Sequence, residues 1–291
     1  MPPTTTSSPE LVVGDCCKIM REWAREAPAL IFADPPFNIG RSYDICDDRL
    51  PKLEYENFTR EWLDLACGLL KPGGALWVNI PDEWAGYIQY TLTRLTPMVM
   101  RNWCIWHYRF GQNTRGRFIS SKVHALYFVK PGAPWVWNEE AVLEPSDRAS
   151  KYKDKRTHNK KEGADGMRVP LDVWYGEGFS RITGNNRERR ALHDNQLPEA
   201  YLHRVISATS NPGDLVFDPF SGSGTSAVVA HALGRRFVGC DLSETYVESA
   251  KARVKMGPVL EELRAGLPAG APHAEGVAGQ RIDHHEAGGP A

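Results

Sequence analysis

The stretch LVFDPFSGSGTSAVVAHALGRRFVGCD, Leu215 to Asp241, constrains the fold more than any other part of the chain. A short apolar run ends in an acid and is followed by a turn of small residues, an apolar helix-forming segment and a second apolar run ending in another acid. Strand, turn, helix and strand in that order imply a parallel or mostly parallel sheet. Gly222 and Gly224 let backbone approach a ligand closely, and the helix N-terminus beyond them offers unpaired N–H donors. Asp241 ends the second strand, where a carboxylate can accept both hydroxyls of a ribose. No G-K-[S/T] follows, so the turn is not a phosphate loop, and Ser226 and Ala227 stand where a dinucleotide site would run on to a third glycine. An adenosine-bearing ligand without pyrophosphate suits it better.

The same alternation runs through the N-terminal half. LVVGD reads as a strand, and CCKIMREWAREA after it has helical spacing. ALIFAD is the next strand. Tyr55 to Leu70 is a helix with Phe58, Trp62, Leu65 and Leu69 on one face, stopped by KPGG. ALWVNI is a strand, EWAGYIQYTLTRL a helix, and NWCIWHYRF and KVHALYFVK are strands flanking a polar loop. From about Pro131 to Arg190 the pattern gives way to polar, basic and glycine-containing sequence. It returns with PEAYLHRVISAT, a helix entered through a proline.

The strand ALIFA leaves the core through DPPF, Asp34 to Phe37. Two prolines fix the backbone and restrict the residues before them, so this corner is rigid and belongs to neither a helix nor a central strand. An acid and an aromatic ring held on a stiff elbow can present an acceptor and a stacking face in one geometry.

Charge sets the choice of partner. The net charge is −1, but the chain beyond Met256 carries −3, which leaves +2 on the body. That charge is clustered. Arg148 to Lys161 holds seven cations (Arg148, Lys151, Lys153, Lys155, Arg156, Lys160 and Lys161) against one aspartate. Arg181 to Arg190 adds four arginines against one glutamate. With Tyr152, His158 and Trp174 nearby, this reads as a surface that tracks a nucleic-acid backbone. Six scattered cysteines without C-x-x-C spacing point to reduced thiols, not to a disulfide framework or a metal site. No stretch approaches a membrane span, and MPPTTTSSPE has no basic apolar signal region, so a cytoplasmic location is expected.

DPPF together with a separate DPFSGSGT resembles the amino-group DNA methyltransferases that use S-adenosylmethionine. The order, tetrapeptide first and glycine loop last with a basic insert between, resembles the β-type arrangement. Further matching pieces are Gly14-Asp15, Asp172 to Trp174, and His193, Gln196 and Pro198 of HDNQLPEAYLHRVI. The resemblance implies an α/β fold: a doubly wound, mostly parallel, Rossmann-like sheet, circularly rearranged, with an inserted target-recognition region. Asp218, Phe220, Ser221, Gly222, Ser223, Gly224 and Thr225 would then hold the methionine part of the cofactor, Asp241 the ribose and Asp15 the adenine amino group. His193 and Gln196 would lie near the methionine end. Asp34 and the Pro35 carbonyl would accept hydrogen bonds from the target amine, Pro36 would stiffen the corner, and Phe37 would stack on a flipped base. No metal is required.

The implied substrate is double-stranded DNA, with adenine N6 as the target because the tetrapeptide begins with Asp; cytosine-N4 enzymes of the family more often begin with Ser. Cytosine N4 is the alternative, and a non-enzymatic DNA-binding protein is the alternative from another class. A bacterial or phage source, a homodimer and an accompanying restriction endonuclease are compatible with the family. The expected organisation is a disordered N-terminus (1–10), a catalytic half (11–130), a target-recognition insert (131–190), a cofactor-binding half (191–256) and a flexible tail (257–291).

Overall fold

Strands whose residues are apolar without alternation need cover on both faces, and the computed structural model of this protein supplies it. It describes residues 8–40, 48–109, 111, 115–157, 165–176, 178–190 and 195–265. In chain order the N-terminal half runs β1 (Glu10–Val13), α1 (Cys16–Arg21), β2 (Leu30–Ala33), α2 (Lys52–Leu69), β3 (Ala75–Ile80), α3 (Asp82–Arg94), β4 (Val99–His107) and β5 (Lys122–Val129). The middle contributes β6 (Glu144–Pro145), α4 (Asp147–Ser150), β7 (Met167–Arg168) and β8 (Val173–Trp174). The last part is α5 (Glu199–Thr209), β9 (Leu215–Asp218), α6 (Thr225–Ala232), β10 (Arg236–Asp241), α7 (Glu244–Met256) and α8 (Glu261–Ala265).

The main sheet has the strand order β1-β10-β9-β2-β3-β5-β4-β8. Only β5 runs against its neighbours, β3 and β4. Side chains alternate across the strands as a pleat requires. Leu30 and Phe32 of β2 pack with Tyr201, Val205, Val229 and Ala250 on one face, under α5, α6 and α7. Ile31 and Ala33 pack with Met20, Trp62, Leu63 and Ile88 on the other, under α1, α2 and α3. β2 and β9 are hydrogen-bonded neighbours, yet the helices that follow them, α2 and α6, lie on opposite faces. Such a reversal opens a crevice at the carboxyl ends of the strands, where sheets of this kind bind ligands.

The structure adds detail to three expectations. The helical spacing of CCKIMREWAREA gives a helix only over Cys16–Arg21. The Trp23 ring packs edge-on against Phe217 at 4.7 Å and its Nε1 donates to the Glu26 carbonyl, so tertiary packing ends the helix. The stretch expected as an insert is tied into the body: β8 pairs with β4, and Trp174, Phe179 and Ile182 are buried. The tail expected to be mobile from Gly257 stays packed through α8, with Leu263 buried and the Glu199 carboxylate accepting from the backbone N–H groups of Val259 and Leu260, both at 2.8 Å. Residues 1–7 of the expected disordered N-terminus and residues 266–291 of the expected tail lie outside the described residues. Among the described residues no helix is long and apolar enough to cross a membrane.

Candidate active site

A cleft open to solvent lies at the β2–β9 junction, with a cavity volume of about 140 Å³. Three strand-end acids reach it directly, Asp34 after β2, Asp218 at the end of β9 and Asp241 at the end of β10; Asp15, after β1, joins them.

The glycine loop is braced from several directions. The Asp218 carboxylate accepts from Phe220 N–H at 2.9 Å and from the Ser226 hydroxyl. Asp241 accepts from Gly222 N–H at 3.0 Å and from Ser243 N–H at 2.9 Å. Ser221 N–H donates to the Cys240 carbonyl. Behind the loop the buried Arg253 guanidinium donates to the Ser223 carbonyl at 3.2 Å and to Thr225 Oγ1 at 2.6 Å. Two glycines are fixed by protein packing. A Cβ on Gly224 would meet the Ala250 Cβ at 2.6 Å, and one on Gly239 would meet Ser221 Oγ at 2.1 Å. Gly224 therefore lets α6 approach α7, and does not itself line the cleft. Phe220, Ser221, Gly222, Ser223 and Thr225 do line it. The Phe220 ring is set by edge contacts with Phe58 and Trp62 of α2.

Asp15 caps α1, accepting from Lys18 N–H at 2.8 Å through Oδ1. A carboxylate holds more lone pairs than one N–H uses, so capping leaves acceptor capacity at the cleft.

The DPPF corner is held by donors from α2 and α3. Tyr55 Oη donates to the Pro36 carbonyl at 2.5 Å and Trp84 Nε1 to the Phe37 carbonyl at 3.0 Å. Among the described residues no donor reaches the Pro35 carbonyl. Beyond the corner Asn38 takes a left-handed φ of 55°, which asparagine tolerates better than most residues. Asp48 then clamps the N–H groups of Asn38 and Ile39.

Among the described residues the Asp34 carboxylate has one hydrogen-bond partner, Asn79 of β3, whose Nδ2 donates to Asp34 Oδ1 at 2.6 Å. Asn79 is buried, and its own Oδ1 accepts from Tyr201 Oη at 3.2 Å. Burial pushes the Asp34 carboxyl up to about 7; the Asn79 hydrogen bond opposes this and the Asp218 charge adds to it. Asp218 is also pushed up to about 7 by burial, against its bonds to Ser226 and Phe220. Two acids raised by burial in one cleft make it the candidate for the functional site.

Not every expected residue falls here. Gln196 is buried outside the cleft lining, accepting from Arg190 N–H at 3.0 Å and donating to the Glu188 carbonyl at 2.6 Å; its neighbours Asn195 and Leu197 line the cleft instead. His193, Lys160 and Lys161 lie outside the described residues. In the basic segment Asp154 pairs with both Arg148 and Arg156, each at 2.9 Å, and Lys151 pairs with Asp147 at 3.0 Å. Lys153 and Lys155 have no such partner among the described residues. Asn79, Phe58 and Tyr246 were not anticipated; the one signal was a lone polar residue inside the apolar run ALWVNI.

The family profile N6_N4_Mtase, described as DNA methylase, matches residues 29–252. The chain belongs to this family. S-adenosylmethionine is the family's methyl donor. The Type II methyltransferase M.HpaI of Haemophilus parainfluenzae is 32% identical over 244 residues, 84% of this chain and 73% of that protein. The Type II methyltransferase M1.MboII of Moraxella bovis is 28% identical over 257 residues, 81% and 92% of the two chains. Among solved structures, the PvuII DNA methyltransferase (cytosine-N4-specific) superposes with a TM-score of 0.63 at 17% identity, covering 91% of this chain and 93% of that one. The M1.HpyAVI–SAM complex gives 0.56 at 22%, covering 84% and 98%. These last two likenesses concern the fold.

The cleft suits the donor on chemical grounds. It offers a glycine loop along one wall, carboxylates at neighbouring strand ends for hydroxyl and amino groups, and, among the described residues, no lysine or arginine in its lining to meet a pyrophosphate.

Proposed function

We propose that this family member methylates the N6 amino group of an adenine turned out of duplex DNA. The observation that supports amino-group methylation is the pair of acceptors at the corner, Asp34, with Oδ1 held by Asn79, and the Pro35 carbonyl next to it; the Asp that opens the tetrapeptide is what favours adenine. S-adenosylmethionine supplies, when bound, a methyl group on a positively charged sulfur.

An exocyclic amine is a weak nucleophile because its lone pair is delocalised into the ring. Asp34 Oδ2 and the Pro35 carbonyl accept its two N–H bonds and favour a more pyramidal nitrogen, whose lone pair is then available to the methyl group. The nitrogen must shed a proton as it becomes methylated, and Asp34, raised to about 7, is a base matched to that task at neutral pH. Phe37 is half-buried against both core faces and offers a ring on which the base stacks. Positioning and fixed dipoles carry the rest of the catalysis.

Asp241 and Asp15 would hold the ribose and adenine of the donor, and the loop from Phe220 to Thr225, set by Asp218, its methionine part. Asp241→Ala would remove the ribose acceptor and release Gly222 N–H together. Calorimetry should then show S-adenosylmethionine binding weakened by about 1–3 kcal/mol, and unchanged affinity would discard the role. Lys153 and Lys155 would meet DNA phosphates directly, and Arg148, Lys151 and Arg156 by exchanging Asp154 and Asp147 for phosphate.

A second reading is cytosine N4, whose exocyclic amine has the same two N–H bonds to offer. Both amines meet the same two acceptors. Expression in a methylation-free host, followed by nucleoside analysis and modified-base sequencing of its DNA, separates them. N6-methyladenine at a defined sequence is the expected result, N4-methylcytosine supports the second reading, and unmodified DNA overturns both.

A further inference from the structure

The connection between β4 and β5 leaves the sheet at the edge that carries the cleft. β4 runs parallel to β3 and β2, because β5 opposes both β3 and β4, so His107 and Lys122 stand on the same edge as Asp34, Asp218 and Asp241. Three strand spacings, about 14 Å, separate β2 from β4. Between Tyr108 and Ser121 the sequence carries Arg109, Arg115 and Arg117 and no carboxylate. On the way back to β5 Phe118 is 99% exposed, and Ile119 beside it is exposed too.

A single exposed apolar side chain is ordinary on a protein surface. This one differs in its setting. Its loop has a fixed stem, with Tyr108 N–H donating to the Ser121 carbonyl at 2.9 Å and Tyr108 packed on the core. The stem also communicates with the cleft. The Arg181 guanidinium lies over the Tyr108 ring at 5.3 Å and donates to Asn195 Oδ1 at 3.3 Å, and Asn195 lines the cleft. An exposed aromatic ring preceded by Arg115 and Arg117, on a stem linked through Arg181 to the cleft, matches what duplex insertion needs. Arginines meet the phosphates, and an apolar wedge enters the helix and replaces the stacking that a departing base gives up.

Building on the proposed function, we propose that Phe118 is a wedge that enters duplex DNA beside the target and holds open the gap left by the extruded base, with Arg115 and Arg117 on the flanking phosphates. It is a positioning residue for base extrusion and touches neither the methyl donor nor the reacting amine.

The test uses the sequence found by modified-base mapping of the parent, built as two duplexes. One pairs the target normally, and the other has an abasic position opposite it, which lowers the cost of extrusion. Phe118→Ala should lose about tenfold or more in single-turnover methylation of the paired duplex. It should recover to within about threefold of the parent on the abasic one, and Phe118→Trp should retain activity on both. S-adenosylmethionine affinity should not change. Arg115→Ala/Arg117→Ala should reduce the slope of log affinity against log salt by about 2. Equal rates of parent and Phe118→Ala on the paired duplex overturn the wedge, as does an equal loss on both duplexes. A parent that methylates no DNA overturns the proposed function instead.

Discussion

Asp34→Ala is expected to lower methyl transfer to DNA about 100-fold or more at saturating S-adenosylmethionine, by analogy with removing one preorganised polar partner. The expectation rests on the proposed role, since Asn79 occupies only Oδ1 and the remaining oxygen would be the one to meet the amine. Asp34→Asn should fall between parent and Ala, because an amide oxygen still accepts, though less strongly than a charged carboxylate. The pH profile separates acceptor from base. With the folded pKa near 7, the ionised form grows as pH rises, so the parent kcat/KM should climb with unit slope up to about pH 7 and then level. Asp34→Asn should lack that limb. Stability should move the opposite way. A carboxyl raised from its ordinary value of about 4 holds its proton in the native state between about pH 4 and 7, so the native state binds more protons and stability falls as pH rises through that window. Asp34→Asn should flatten part of this fall in urea unfolding, and Asp218 should keep the rest. An Ala variant as active as the parent would remove Asp34 from the mechanism, and an Asn variant as inactive as Ala would make the charge itself indispensable.

The parts of this site that were legible in the sequence are those whose chemistry is local. A strand ending in an acid and a stiff proline corner, or in a small-residue turn and a helix, announces itself within ten residues, and the cleft contains DPPF, Asp15, Asp241 and most of the glycine loop. Glycine signals were legible as close approach but not as to what approaches. Gly224 yields to Ala250 of α7, and the unremarked Gly239 makes room for Ser221. Spatial partners were harder. Asn79 is 45 residues from Asp34 and Tyr201 a further 122 from Asn79, so only the sheet brings the three together. Gln196 shows the converse. Its place beside Pro198 suggested a ligand contact, while its amide is consumed by the backbone of Glu188 and Arg190. The basic run likewise read as bare positive charge, and the fold sets Asp154 and Asp147 against three of its cations.

Arg253 is the largest structural element that the sequence concealed, and its replacement should be the most damaging to stability. On α7 it occupies one polar position among many in ETYVESAKARVKM, yet it is fully buried, with Glu199 fully buried opposite at 3.1 Å. The pair joins three segments. Arg253 holds Ser223 and Thr225 of the glycine loop, and Glu199 holds the N–H groups of Val259 and Leu260. Arg253→Met preserves much of the volume but strands a buried carboxylate and leaves the Ser223 carbonyl without its donor. Breaking one side of such a pair costs about 3–5 kcal/mol, which should appear as a lower urea midpoint with little change in slope. Cofactor affinity should fall as well, because the loop loses its rear support. Replacing both residues by Met should cost less than the sum of the single losses, by about 1–3 kcal/mol, since neither variant then leaves an unpaired charge. Glu199→Gln keeps an oxygen for Val259 and Leu260 but turns its amide nitrogen toward the Arg253 guanidinium, so it tests the loss of the charge with the backbone contacts kept. A parent-like midpoint for Arg253→Met, or strict additivity in the double variant, would show that packing on α7 holds the loop without the ion pair.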